Sequence, residues 1–166
     1  AFVNAIRVTQ LENYQAPPVL LYPRLGAGLH PAYGEITDFD VGSLHFGWYA
    51  NWGTVLNPPR PNGMEFVQLV PVDRLTYPPD WSSLAAKVAA NPGSVWIIGN
   101  EPEWPYTSDR SPATYAGIYH TVSTFIRDID PTARFAVGGV VMVSQARLWW
   151  LDQVLKIYSS TYGITM

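Results

Sequence analysis

From Leu44 onward the chain repeats one pattern: a short apolar run, a break at Pro, Gly or Asn, then a stretch with helical spacing. Residues 44–50 read as a strand, ended by Asn51-Trp52-Gly53 and a Pro-rich loop over 57–63. Residues 65–70 form the next strand, closed by Pro71. Asp80 is placed to cap a helix whose Leu84 and Val88 share a face, and Asn91-Pro92-Gly93 stops it. The run 94–99 is nearly all apolar, as expected of a strand buried on both faces. Ser111-Pro112 opens a second helix, with Tyr115, Ile118, Tyr119, Val122, Phe125 and Ile126 on one stripe until Pro131. Residues 134–141 are expected as another buried strand. Ser144 then caps a last helix, with Leu151, Val154, Leu155 and Tyr158 on one side and an end near Gly163. Strands alternating with crossover helices imply a parallel sheet with right-handed connections.

Both a doubly wound sheet and a (β/α)8 barrel fit this order. A doubly wound nucleotide-binding sheet calls for an early Gly-rich phosphate turn, and neither G-x-G-x-x-G nor G-x-x-x-x-G-K-[ST] occurs. Gly26-Ala27-Gly28 runs into Leu29-His30-Pro31 instead of a helix. The expected fold class is therefore α/β, a TIM barrel that this chain leaves incomplete, since a full barrel takes roughly 250 residues and the chain has 166. Roughly the first four or five β/α units are expected. Residues 1–43 form an N-terminal segment in which 19–22 suggest a first strand and 24–34 a loop. Residues 44–166 form the N-terminal part of the barrel. An open half-barrel leaves strand edges and apolar faces bare, so the chain is expected to pack with a missing C-terminal half or another chain.

Composition excludes several classes. Apolar residues make up 48% and charged residues 14%, with a net charge of −3 and ten scattered Lys and Arg. No basic patch suggests a nucleic acid or an anionic membrane, and residues 1–10 lack the apolar run of a signal peptide or membrane span. With no cysteine there is no disulfide, thiolate metal site or cysteine nucleophile. His30, His45 and His120 show no metal-ligand spacing, no H-E-x-x-H occurs, and no Ser sits in G-x-S-x-G. No metal and no cofactor are expected. A start without Met suggests that a processing site or an engineered boundary precedes Ala1. An extracellular or cell-envelope location is expected, with the cytoplasm left open.

In a barrel the chemistry sits where strands end at their C-terminal tips. Those tips read Asn51-Trp52, then Pro71-Val72-Asp73-Arg74, then Asn100-Glu101-Pro102, then Met142-Val143. Only the third offers a carboxylate directly at a tip, beside an amide. A carboxyl emerging from an apolar strand is favoured in its protonated form by desolvation, which suits Glu101 to proton donation. The plain alternative is that Glu101 caps the next loop or pairs with Arg74 or Arg110. The direction of Glu103 is unreadable behind Pro102.

A strand ending in Asn100-Glu101-Pro102 resembles glycoside hydrolase clan A, whose retaining barrels carry an acid/base Glu after an Asn at a strand tip. The flanking Gly47-Trp48-Tyr49-Ala50-Asn51-Trp52, Phe66-Val67-Gln68-Leu69-Val70-Pro71 and Gly138-Gly139-Val140 are most similar to the β-1,3-glucanase-type group, glycoside hydrolase family 128. The resemblance covers roughly residues 44–143. It implies a retaining glycosidase cleaving a β-linked polysaccharide, with Glu101 as acid/base and Asn100 holding the sugar. Trp48, Tyr49, Trp52 and Trp104 are candidates for sugar stacking, although Trp48 and Tyr49 point to opposite sides of one strand. Retention also needs a second carboxylate about 5–5.5 Å away, which the resemblance puts on a later strand, outside this chain. The chain alone is then expected to be inactive. The alternative from another class is a non-catalytic carbohydrate-binding barrel module.

Overall fold

A computed structural model describes residues 22–163. Its strands are β1 (Tyr22–Gly28), β2 (Phe46–Ala50), β3 (Glu65–Phe66), β4 (Gln68–Val70), β5 (Val95–Ile98) and β6 (Arg134–Val137). Its α-helices are α1 (Trp81–Ala90), α2 (Pro112–Ile129) and α3 (Gln145–Tyr162). Every strand pair is parallel, in two sheets ordered β1-β2-β3 and β4-β5-β6. Val67 links them: its amide donates to Tyr49 O at 2.8 Å, while Leu69 N donates to Gly53 O at 3.0 Å. Segment 65–70 thus turns one edge to β2 and the other to β5.

The helices begin where local chemistry dictates. Asp80 accepts from the amides of Ser82 and Ser83, Ser111 from Thr114 and Ser144 from Arg147, so each side chain satisfies backbone donors that the first turn leaves open. Gly163 ends α3 in the left-handed conformation (φ 69°), which costs glycine least.

The sheet has two unlike faces. Val70, Trp96 and Ile98 point into a core with Leu84 and Val88 of α1, Tyr115, Val122 and Ile126 of α2, and Val154 and Tyr158 of α3. On the opposite face Trp48, Val67, Val95, Ile97 and Ala136 line a groove of about 300 Å³ that no helix among the described residues covers. Arg134 and Glu65, at the starts of β6 and β3, are ion-paired beside it. A smaller core of Ile36, Val41, Tyr49, Met64 and Phe66 backs the first sheet. Its connections are short 3₁₀ turns at Pro31–Tyr33, Ile36–Asp38, Gly42–Leu44 and Pro61–Gly63.

Several expectations change. Residues 24–28, expected as loop, belong to β1, while 19–21 lie outside the described residues. β2 starts at Phe46 because Gly42–Leu44 form a turn and His45 is left-handed (φ 53°). β5 buries Trp96 and Ile98 fully, but Val95 and Ile97 only in part, since their face is the uncovered one. β6 stops at Val137 and is exposed to half-buried rather than buried. In α3 Leu155 is exposed, and Trp150 takes the inner position together with Val154 and Tyr158.

Candidate active site

The tip of β5 is built by an unusual run of backbone. Gly99 has φ 85°, and a Cβ there would lie 2.6 Å from Val72 Cγ2, so glycine is needed for conformation and for space. Glu101 has φ 46°, a left-handed conformation costly for a residue with a long side chain. The turn is tied to its neighbours: Gly99 N donates to Val70 O at 2.8 Å, and Glu101 N to Gly139 O at 2.9 Å. Gly138 lets β6 approach, since a Cβ there would lie 2.7 Å from Gly99 O.

Tyr115 of α2 pins the two tips from beneath. Its hydroxyl donates to Ile98 O at 2.6 Å and accepts from Gly138 N at 2.8 Å. Burial pushes its ionisation well above the ordinary tyrosine value, so it stays a protonated donor.

On this platform the half-buried Glu101 carboxylate has no hydrogen-bond or ion-pair partner among the described residues. The two cations that sequence offered it are occupied elsewhere. Arg74 is paired with Asp109, and Arg110 donates to Val72 O (3.0 Å) and Asp73 O (3.2 Å). The capping and pairing roles for Glu101 therefore fall away.

Beside Glu101, Asn100 lines a cleft of about 200 Å³ with Trp52, Leu69, Asp73, Thr107 and Ser108. Trp52 is 47% exposed, in a left-handed turn (φ 59°) that Asn51 Oδ1 braces by accepting from Gly53 N. Its ring reaches over Gly28, where a Cβ would come within 2.9 Å. Burial opposes the charged form of Asp73, but hydrogen bonds from Thr76 Oγ1 and the amides of Leu75 and Thr76 outweigh it and hold the carboxyl below its usual range. Ser108 Oγ is buried with no partner among the described residues. An aromatic face, an amide and hydroxyls around a small cleft suit a sugar ring, which offers C–H faces and hydroxyls together. Among the described residues no group of three or more His, Asp or Glu is arranged to hold a metal ion.

No protein-family profile matches the chain, and no curated protein matches it in sequence. Solved structures do match. A GH128 (subgroup III) curdlan-specific exo-β-1,3-glucanase from Blastomyces gilchristii, in complex with glucose, superposes with TM-score 0.59 at 24% identity over 80% of this chain and 55% of that one. A GH128 (subgroup I) endo-β-1,3-glucanase from Amycolatopsis mediterranei, with laminaritriose and laminaribiose, gives 0.63 at 16% over 87% and 55%. A GH128 (subgroup II) endo-β-1,3-glucanase from Sorangium cellulosum gives 0.57 at 22% over 80% and 55%. The chain has a GH128-like fold. It spans about half the length of these structures.

Within this GH128-like fold the sequence candidates separate. Asn100 and Trp52 share one cleft, and Glu101 is the residue that follows Asn100. Trp48 lines the uncovered groove lower on the sheet, not a strand tip. Tyr49 is a correction: it is 2% exposed, packs edge-on to Phe66, and its hydroxyl donates to Pro59 O, so it is a packing residue without a face for sugar. Trp104 turns toward a second cleft, with the Arg147 guanidinium 5.2 Å from its ring centroid. Sequence reasoning missed Tyr115 as a support of the site, because a hydroxyl on an apolar stripe looks like core. It also missed Ser108, for which no local signal exists.

Proposed function

We propose that the chain is the acid/base-bearing part of a retaining glycoside hydrolase acting on β-linked glucan. Glu101 donates a proton to the leaving glycosidic oxygen and later takes one from water, while Asn100 holds the sugar next to the scissile bond. Trp52 stacks on a neighbouring ring. The described strands then correspond to the first five of a (β/α)8 barrel, with segment 65–70 as the third. The nucleophile and the remaining strands lie on polypeptide beyond this chain, packed against the groove lined by Val67, Val95 and Ile97. This chain alone is inactive. The Asp73 carboxylate, in the same cleft as Asn100, is held by Thr76, and Glu103 Oε1 is paired with Arg147.

The observation that carries the reading is the partnerless Glu101 carboxylate, held in a costly backbone conformation at a strand tip, next in sequence to Asn100, whose side chain shares a cleft with the Trp52 indole. A strained residue with no structural partner is better explained by chemistry than by stability. The test is Glu101→Gln in the intact protein with a soluble β-1,3-glucan. Turnover is expected to fall by about 10²–10⁴-fold while sugar binding persists. Unchanged turnover contradicts the assignment, and binding without turnover in the wild-type intact protein favours a carbohydrate-binding module.

A further inference from the structure

The amide of Glu101 is held by Gly139 O, and Gly139 is a poor anchor by itself. It is exposed, and nothing lies within 4 Å of where a Cβ would stand. Met142 and Val143, farther along the same loop, are exposed as well. A loop with so little burial keeps its place through its hydrogen bonds. Before Gly139, Gly138 N donates to the Tyr115 hydroxyl at 2.8 Å. After it, Val141 N donates to Glu103 Oε1 at 2.9 Å. The two loops are thus tied in step, 101 to 139 through backbone and 103 to 141 through a side chain.

Glu103 is itself held from α3. Its Oε1 pairs with Arg147 Nε at 3.1 Å, in the first turn of that helix, and the two side chains are only 6% and 20% exposed. The Arg147 guanidinium rests over Trp104, 5.2 Å from the ring centroid. Glu103 Oε2 is buried with no hydrogen-bond partner among the described residues. A buried ion pair with one oxygen left without a donor recovers little of its desolvation cost. Such a pair serves placement better than stability.

We infer that Glu103 is a positioning residue for Glu101. Anchored by Arg147, it holds Val141 N, keeps Gly139 O within reach of the Glu101 amide, and so maintains the left-handed turn that directs the Glu101 carboxyl. Glu103 touches no substrate and acts only through Glu101. A proton donor displaced by about an ångström loses rate although the substrate still binds. The inference rests on the proposed acid/base role of Glu101.

The experiment measures kcat and KM of the intact protein on a soluble β-1,3-glucan. It also follows the first step of dinitrophenolate release from the matching aryl glycoside, which needs no proton donor. Two variants cut the tie from opposite ends: Glu103→Ala removes the acceptor and Val141→Pro the donor. Each is checked for folding by its melting curve, and one folded variant is enough. Either is expected to lower kcat on the glucan about 10–10²-fold, with KM and dinitrophenolate release within about twofold. Glu103→Gln, whose amide oxygen still accepts from Val141 N, keeps most of the glucan turnover. Wild-type glucan turnover in a folded variant overturns the inference. So does an equal loss on both substrates, which is what a merely structural role gives, or a Glu103→Gln as slow as Glu103→Ala. Failure of both variants to fold makes Glu103 structural and overturns it too. The two readings fail separately: unchanged turnover in Glu101→Gln breaks the acid/base assignment, whereas a dead Glu101→Gln beside a fully active Glu103→Ala breaks only this one.

Discussion

The regions on either side of Val67 use the same parallel pairing but are backed differently. Before it, β1 to β3 lean on 3₁₀ turns and a small core around Tyr49, Met64 and Phe66. After it, β4 to β6 lie under three capped helices with a core three times as populous among the described residues, fifteen buried against five. Glu101 stands on the helix-backed region, and Trp52, which shares the neighbouring cleft, hangs from the turn-backed one. A proton donor needs fixed geometry, whereas a stacking surface tolerates adjustment. The division of labour proposed for Glu101 and Trp52 follows the division in packing.

The largest effects should come from the helix-backed core. Trp96→Ala is expected to cost about 3–5 kcal/mol in urea melts, while Trp52→Ala, in the exposed turn after β2, changes stability by less than about 0.5 kcal/mol. Amide exchange should be slower in β5 than in β2; equal protection would make the two regions one cooperative unit and remove the contrast. Next in size is Tyr115→Phe, which leaves Ile98 O and Gly138 N without their shared partner. It should cost about 1–3 kcal/mol and lower turnover of the intact protein without weakening sugar binding equally.

Both regions also contribute to the pH limits of stability. Burial pushes Tyr49 up to about 12, helped by the Glu35 carboxylate, and burial with Tyr158 nearby pushes Tyr119 up to about 12. Their unfolded forms ionise near 10, so their contribution is complete below about pH 10 and is lost as pH rises through the folded values. Asp130 goes the other way. Burial disfavours its charged form, but donors from Thr132 and Gly93 N–H outweigh that and depress its pKa. Its contribution is present above about pH 4 and is lost as pH falls through the depressed value. Thermal melts from acid to alkali should show both flanks, and Asp130→Asn should flatten the acid one.

One small effect is the most diagnostic of strain. Glu101→Gly should be neutral to about 1 kcal/mol stabilising, because relief of the left-handed backbone offsets the chain entropy that glycine adds. A clear loss of stability would mean that the carboxylate supports the fold.

The helix-backed region was readable because its signals are local: a cap, a stripe and a stop for α2, and an apolar run ending in a polar pair for β5. β1 was not, since Pro23, Gly26 and Gly28 give it poor strand propensity. Its pairing is decided at a distance, by indoles occupying the space that side chains would fill: a Cβ on Gly26 would sit 2.1 Å from the Trp48 ring. At the site, Asn100 and Glu101 were legible from their place after a strand. The direction of Glu103 was not, because the left-handed turn at Glu101 redirects the chain toward α3.

The most direct test of Glu101 as proton donor compares leaving groups. In the intact protein carrying Glu101→Ala, cleavage of a β-1,3-glucan, whose leaving oxygen needs a proton, should fall by about 10²–10⁴-fold. Release of a dinitrophenolate from the matching aryl glycoside, which leaves without protonation, should fall far less in its first step. Equal losses on both substrates, or none on either, would contradict the assignment.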